Sequence, residues 1–291
     1  MKAAAVMAFF LAFNQSPLAK VLDDFEDNKV TGWEKFDFGS GNGFLKEEEG
    51  QFTIGMNQPT GQPFFVAATY EPETFTIEDG VTLEFQIDLI RANQSSSFAV
   101  LCFIPKDNHV STLTGYSLAK DINDILLAKG LNKYFYDKDQ GDWKEREENL
   151  RLVLSMTGRG NSVEVTTRVL DLENSQAVLF EETVIDTVGV DNFETGDADD
   201  PPASFIGKPG NFVLLLYHND TNGSLPASSV TLDNAHVSVF GSASENQPPI
   251  ITAVSPAISS MFLPASTKIT FGVNDDQGIE PDGISVTLNG T

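Results

Sequence analysis

The residues best suited to ligand chemistry are three aromatic side chains, Tyr134, Tyr136 and Trp143, in one short acidic segment. The aspartates between and around them are Asp137, Asp139 and Asp142. Exposed aromatic rings stack on sugar rings, while nearby polar groups fix the orientation of the sugar. The segment therefore predicts a carbohydrate-binding surface with these three aromatic residues as contacts. The alternative interpretation is that Tyr134 and Tyr136 cover the edge of the hydrophobic core.

Catalytic patterns are missing from the sequence. A retaining glycosidase would show a Glu-x-Asp-x-x-Glu pattern that holds two carboxylates about 5 Å apart, and the segment with Glu84 and Asp88 lacks it. No spacing links His109, His218 and His236, and there is no zinc motif, phosphate loop or nucleophile elbow. We therefore expect no catalytic residues. Sandwich enzymes assemble their sites from distant strands, so a polysaccharide-degrading hydrolase or lyase stays open as the alternative.

The charge of the chain excludes two classes of partner. Its 291 residues include 42 acidic and 18 basic side chains, for a formal net charge of −24. Nucleic acids and anionic membrane surfaces would be repelled by this charge. The same charge is compatible with solubility, with an extracellular surface protein and with carboxylate-rich Ca²⁺ sites.

The first residues have the pattern of a signal peptide. Lys2 precedes an apolar run from Ala3 to Phe13, which is too short to span a bilayer. We predict cleavage near Ala19 and a secreted or cell-surface protein whose mature chain does not insert into a membrane. The single cysteine, Cys102, lies in an apolar run and is expected to be a buried core residue without a disulfide partner.

Period-two alternation of apolar and polar residues predicts an all-β protein. The clearest case is Leu150 to Asp186, which indicates three consecutive antiparallel strands with one buried face. The segment from Phe98 to Ile104 is apolar throughout and is typical of a strand covered on both faces. Ser117 to Gly130 fits either a helix or two strands, and its β neighbours favour two strands. At Asp233-Asn234 the alternation slips by one residue, which predicts a β-bulge.

These patterns define four segments. Residues 1–19 are the signal peptide, and residues 20–241 form a two-sheet antiparallel jelly-roll sandwich. A Ser- and Pro-rich linker follows at 242–249. Residues 250–291 contain strand patterns for part of an immunoglobulin-like sandwich, because a complete domain of that type takes about 100 residues.

The order of motifs between Lys20 and Gly241 resembles a known group of folds. An acidic-aromatic opening from Leu22 to Asp27 precedes Gly32-Trp33, and a closing strand runs from Val230 to Val237. This order resembles the concanavalin A-like or laminin G-like jelly rolls of exported bacterial proteins and, more loosely, the carbohydrate-binding modules. The segment from Pro248 resembles the start of an immunoglobulin-like or cadherin-like repeat.

The resemblance implies a non-catalytic recognition or adhesion module that binds glycan or another surface protein. A structural spacer is a further possibility. In such modules a structural Ca²⁺ often ties the first strand to the last, and the matching positions are Asp24, Glu26 and Asp233. Carboxylate oxygens suit this ion, which takes six to eight oxygen ligands. The acidic loop with Asp197, Asp199 and Asp200 is a second, weaker calcium candidate.

Overall fold

The computed structural model describes residues 18–38, 42–57, 64–93, 97–108, 114–120, 124–130, 134–139, 148–190, 205–218, 228–241, 250–255 and 270–274. Within these ranges every regular element is a β-strand. No helix in them is long and apolar enough to cross a bilayer. The chain divides into two compact units, Met1–Phe240 and Gly241–Thr291.

Unit one contains two sheets, whose strands in chain order are β1 (Leu18–Asp23), β2 (Trp33–Phe38), β3 (Gly43–Glu48), β4 (Gln51–Met56), β5 (Phe64–Tyr70), β6 (Phe75–Thr76), β7 (Thr82–Asn93), β8 (Ser97–Pro105), β9 (Tyr116–Lys120), β10 (Asp124–Lys129), β11 (Tyr134–Asp139), β12 (Glu148–Arg159), β13 (Ser162–Asp171), β14 (Ala177–Thr187), β15 (Pro209–His218) and β16 (Ser229–Phe240). Sheet A has the order β14-β13-β12-β7-β16-β4-β3, with β1 also paired to β16. Sheet B has the order β11-β10-β9-β8-β15-β5-β2, with β6 also paired to β15. The strand pairs within both sheets are antiparallel, so the predicted two-sheet sandwich is confirmed.

The main core lies between the two sheets. It takes alternate residues from each strand, such as Leu83, Phe85 and Ile87 from β7 and Phe212, Leu214 and Leu216 from β15. Alternation places these side chains on one face of each sheet. Burial of each large apolar side chain stabilises the folded state by about 1.5–3 kcal/mol, which makes this layer the main source of stability.

Three strand predictions are confirmed. The segment from Leu150 to Asp186 forms β12, β13 and β14, which pair as a meander. The ambiguous segment from Ser117 to Gly130 forms the paired strands β9 and β10. β8 is covered on both faces, because Leu101 and Phe103 belong to the main core while Val100, Cys102 and Ile104 belong to a second apolar cluster.

The bulge in the last strand of the unit is also confirmed. In the pairing of β16 with β7, Asp233 lies opposite Asp88 and His236 lies opposite Gln86. Two residues, Asn234 and Ala235, therefore face a single residue of β7. Asn234 has φ of +53°, in the left-handed region that asparagine tolerates better than most residues. The extra residue returns the apolar side chains of β16 to the core.

The first and last strands of unit one are neighbours. β1 pairs with β16, with Lys20 opposite Val237 and Val21 opposite His236. After β1 the chain turns inward, where Phe25 stacks on Phe52 at 4.9 Å between ring centroids. Trp33 is buried, and its indole Nε1 donates a 2.8 Å hydrogen bond to Asp23 Oδ2.

The pairing of β1 also bears on the start of the domain. Leu18 and Ala19 pair with Val239 and Ser238, so the sheet begins before the predicted cleavage point near Ala19. A cut that retains these pairs would fall before Leu18. Residues 1–17 of the predicted 1–19 signal peptide lie outside the described residues.

Unit two contributes one described strand pair. β17 (Ile250–Ser255) and β18 (Thr270–Asn274) pair antiparallel, with Ile251 opposite Val273. The predicted immunoglobulin-like character of this unit stays a prediction. The predicted strand from Ile284 to Leu288 and the predicted linker at 242–249 lie outside the described residues.

Candidate ligand-binding site

The predicted aromatic contacts have different environments. Tyr136 on β11 is 1% exposed; its ring centroid lies 5.8 Å from that of Phe180, and its hydroxyl contacts Thr167. Tyr136 therefore has no open ring face on which a sugar could stack. It covers the hydrophobic core, as the alternative interpretation of this segment states. Tyr134 is half-buried, and burial, followed by the charge of Asp137, raises the pKa of its hydroxyl. Trp143 lies outside the described residues.

The predicted calcium ligands lie on neighbouring segments of sheet A and interact electrostatically. Asp24 and Glu26 lie in the turn after β1, and Asp233 lies at the bulge of β16. Burial raises the pKa of the Asp233 carboxyl, and the negative charges of Asp88, Glu26 and Asp24 raise it further. Asp233 Oδ1 accepts a 2.7 Å hydrogen bond from the backbone N–H of Asn234, and Asp24 Oδ1 accepts one of 3.3 Å from the backbone N–H of Glu26. In the described part of the chain, no three acidic, histidine or cysteine side chains are grouped as a metal site. The loop with Asp197, Asp199 and Asp200 lies outside it.

The outer face of sheet A is a network of paired polar side chains. Asp88 accepts two hydrogen bonds from Arg151, at 2.6 and 2.9 Å, and one of 3.1 Å from Asn234. Glu84 accepts from Ser155 at 2.6 Å and pairs with Arg168. Both acids are almost fully buried, with exposures of 4% for Asp88 and 6% for Glu84. Asp88 and Glu84 already bind protein partners. A ligand on this face would therefore have to compete with Arg151 and Arg168 for these two carboxylates.

The outer face of sheet B is apolar. The residues between those of the main core form a second buried cluster, comprising Phe65, Ala67, Val100, Cys102, Ile104, Ala119, Val213 and Leu215. Phe36, Leu126 and Tyr217 pack against it. Cys102 is fully buried, and burial raises the pKa of its thiol to about 12, which makes it unreactive at neutral pH. The prediction that Cys102 is a core residue is confirmed.

A cavity of about 250 Å³ lies at one end of this outer face of sheet B. Strands β2, β5, β8 and β15 and the turns that follow β5 and β8 enclose it. Its lining combines one aromatic ring with carboxylates, amides and amines; the residues are Glu34, Lys35, Phe36, Thr69, Glu71, Ile104, Pro105, Lys106, Asn108, Asn211 and Val213. We name it the β2–β15 cavity.

Two asparagines of the β2–β15 cavity are held by backbone carbonyls. Asn211 Nδ2 donates a 3.0 Å hydrogen bond to the Tyr70 carbonyl, and Asn108 Nδ2 donates one of 3.0 Å to the Thr114 carbonyl. These bonds limit the rotamers of both side chains, so the amide groups have defined directions. Phe36 is half-buried, with its ring 6.0 Å from that of Phe65.

The register brings two carboxylates of the cavity close together. Glu34 pairs with Thr69, and the Glu71 amide bonds to the Gly32 carbonyl at 2.9 Å. Glu34 and Glu71 are therefore diagonal neighbours on one face, a relation that corresponds to about 7–8 Å between backbone positions. Both side chains are exposed. Sequence reasoning missed this site, because its only local signal is the alternation of Glu34 and Phe36 on a short strand.

Comparison with known proteins supports the fold. No protein-family profile matches the chain, and a search of curated proteins finds no similar sequence. An endo-1,3-β-glucanase from Streptomyces sioyaensis superposes with a TM-score of 0.50 at 10% identity, covering 77% of this chain and 97% of the glucanase. Arcelin-5, a lectin-like defense protein from Phaseolus vulgaris, gives 0.46 at 11% identity, covering 78% and 99%. The Bauhinia forficata lectin in complex with GalNAc gives 0.43 at 10% identity, covering 78% and 99%.

The similar structures include both lectins and glucanases. Unit one is a two-sheet antiparallel jelly-roll sandwich, and the glucanase shares this fold. At these identities the likeness concerns the fold, and a fold of this kind carries many different functions.

Proposed function

We propose that the chain is an extracellular glycan-recognition module and that the β2–β15 cavity is its binding site. The observation that carries this proposal is the composition of the cavity. One aromatic ring, Phe36, stands beside the carboxylates of Glu34 and Glu71 and the amide of Asn211. A sugar presents an apolar ring face and several hydroxyls, which match a ring face and a set of donors and acceptors.

The proposal is tested by glycan-array screening, followed by calorimetric titration with the best ligand. Phe36→Ala is expected to weaken binding by about 5- to 150-fold, because stacking of a flat ring on an aromatic side chain contributes about 1–3 kcal/mol. The matched control is Phe38→Ala, since Phe38 is an exposed aromatic residue on the same strand outside the cavity lining. Equal losses in both variants would place binding along β2 instead of in the cavity, and binding to no glycan would reject the proposal.

A polysaccharide-degrading enzyme is the second candidate, and one observation favours it. Glu34 and Glu71 are diagonal neighbours in the cavity, and paired carboxylates about 5–9.5 Å apart serve as acid and nucleophile or base in glycosidases. Release of reducing sugar from β-glucans would support this candidate, provided that Glu34→Gln and Glu71→Gln each abolish the release. Binding without release would support the recognition module.

We also propose that Ca²⁺ binds between the turn after β1 and the bulge of β16, held by Asp24, Glu26 and Asp233. The electrostatic coupling of these acids supports the proposal, because a divalent cation would relieve their repulsion. The carboxylate donors suit the ion, although the three side chains are not grouped as a site in their present positions. An increase in melting temperature with Ca²⁺, reversed by EDTA and lost in Asp233→Asn, is expected. An unchanged melting temperature would reject the ion.

Finally, we propose export of the protein with removal of the apolar N-terminal segment. The charged start, the length of the apolar run and the extracellular setting of a glycan ligand support this location. N-terminal sequencing of the secreted protein would locate the cleavage site. A product that begins at or before Leu18 is expected, because Leu18 and Ala19 are paired in β1.

A further inference from the structure

A lysine and an aspartate are buried in contact where the two sheets of unit one meet. Lys129 ends β10 of sheet B, and Asp186 lies near the end of β14 of sheet A. Their side chains are 4% and 0% exposed, and Lys129 Nζ lies 2.5 Å from Asp186 Oδ2. The proposed binding site uses neither residue.

The surroundings of this pair exclude water and supply a proton carrier. The fully buried Tyr116 donates its hydroxyl proton to the same oxygen, Asp186 Oδ2, at 2.5 Å. The Phe205 ring centroid lies 4.9 Å from Lys129 Nζ and 5.1 Å from the centroid of the Tyr116 ring. The second carboxylate oxygen, Asp186 Oδ1, is buried and has no hydrogen-bond partner among the described residues.

A full ionic charge on Asp186 is costly in this position. A buried ion pair stabilises a protein only when the remaining lone pairs are satisfied, and Oδ1 of this carboxylate is not. Transfer of one proton from Lys129 Nζ to Asp186 Oδ2 across their 2.5 Å contact would leave a neutral amine beside a neutral carboxylic acid. A neutral amine has a free electron pair, so it is a nucleophile toward the carboxyl carbon, which lies one bond beyond the contacted oxygen.

We propose that Lys129 and Asp186 condense to form an intramolecular amide, an isopeptide bond that joins sheet A to sheet B. Lys129 Nζ forms a bond to Asp186 Cγ, the bond from Cγ to Oδ2 breaks, and Oδ2 leaves as water. Oδ1 becomes the amide oxygen. Starting from the ammonium and the carboxylate, both oxygen-bound protons of the released water come from Nζ, one of them passing through the Tyr116 hydroxyl, and the amide keeps one N–H.

Proximity makes this condensation favourable inside the protein. Two groups held in contact react as if present at about 10⁵ M or more, which overcomes the preference for hydrolysis that applies to separate molecules in water. The tyrosine hydroxyl stays available as a donor, because burial and the nearby Asp186 charge raise its pKa well above the ordinary value. The product replaces two buried charges with a neutral amide and ties together two sheets of a chain that has a single cysteine.

The decisive experiment is mass spectrometry of the purified, folded full chain. N-terminal sequencing first identifies the residue at which the purified chain begins, and its mass is calculated from there. The measured intact mass is expected to be lower than this calculated mass by about 18 Da, the mass of one water. Digestion should yield a branched peptide that contains both Lys129 and Asp186. Lys129→Arg, which keeps the positive charge, should show its full calculated mass.

A matched control lies on neighbouring strands. Lys138 and Glu182 pair at 2.8 Å between β11 and β14, but both side chains are more than one-third exposed. Lys138→Arg should therefore still lack one water. Wild-type protein that has the circular dichroism of a folded β protein and its full calculated mass would overturn the proposal and leave an ordinary buried ion pair. For Tyr116→Phe we expect slower amide formation after refolding, and an unchanged rate would refute the part assigned to the hydroxyl.

Discussion

The outer faces of the two sheets are built from the same alternating pattern but have opposite chemistry. Sheet A faces outward with paired charged and hydroxyl side chains, such as Asp88–Arg151 and Thr82–Thr157. Sheet B faces outward with an apolar cluster that includes Cys102, Val213 and Leu215. An antiparallel sheet commonly has one face toward the core and one polar face toward water, and sheet A follows this rule. Sheet B instead presents apolar side chains on both faces, and a cavity with both apolar and polar lining residues opens at one end of its outer face.

The contrast shows where a ligand can gain free energy. On sheet A a ligand would have to displace existing ion pairs, whereas the β2–β15 cavity combines an apolar ring with exposed acids and an exposed lysine. The following four predictions test this contrast, beginning with the largest effect.

Leucine truncation compares the second apolar cluster with the main core. Leu214 and Leu215 are adjacent on β15, are almost fully buried and belong to the main core and the second cluster respectively. We expect Leu214→Ala to reduce the free energy of unfolding by about 3–4 kcal/mol, and Leu215→Ala to reduce it by a similar amount if the second cluster is packed as well. Urea denaturation measures both values. A loss below about 1 kcal/mol for Leu215→Ala would mean that the outer face of sheet B is not a second core.

Removing a cation from sheet A tests whether its outer network stabilises the fold. Arg151→Ala leaves the buried Asp88 carboxylate without its main partner, and we expect a loss of about 3 kcal/mol in the free energy of unfolding. The control is Lys46→Ala, because Lys46 and Glu48 form a pair with both side chains more than half exposed. Such pairs contribute about 0–1 kcal/mol. Urea denaturation measures both effects. Equal losses for the two substitutions would contradict the idea that the outer network of sheet A stabilises the fold.

Glu47 on β3 is an exception among the acids of sheet A. It is 7% exposed, and burial, then Asp27 and Asp23, raise the pKa of its carboxyl to about 7. Because the folded state holds this proton more tightly than the unfolded state does, stability is greatest below the ordinary pKa and falls as the pH rises toward 7. Glu47→Gln should remove this decline and should stabilise the protein above pH 7 by on the order of 1–2 kcal/mol. Urea midpoints between pH 4.5 and 8 provide the measurement, and a decline that persists in Glu47→Gln would assign it to other acids.

The smallest expected effect is the labelling of Cys102. Its thiol is buried on the outer face of sheet B and has a pKa near 12, so thiol reagents should label it only after unfolding. Labelling in urea provides the positive control. Rapid labelling of the folded protein would show that the outer face of sheet B opens, unlike the main core.

Local sequence patterns determined most of the strands of this protein. Alternation identifies which residues share a face, so the meander from Leu150 to Asp186 and the double-faced strand β8 could be predicted. The slip at Asp233-Asn234 located the bulge for the same reason. The pairing of the first strand β1 with the last strand β16 was also predictable, because the order of motifs implies that the end strands are neighbours.

Tertiary structure decided which strands lie side by side and what covers each face. Tyr136 lies in a run of three aromatic residues that has no alternation to identify its buried members, and sheet A supplies Thr167 and Phe180 to bury it. Glu34, Glu71 and Asn211 come from chain segments far apart, and only the sheet order brings them to one cavity. Lys129 meets Asp186 because one sheet packs on the other. The alternation of apolar and polar residues indicates on which face of its strand a residue lies. The pairing of strands and the packing of sheets depend instead on contacts between residues that are distant in the chain.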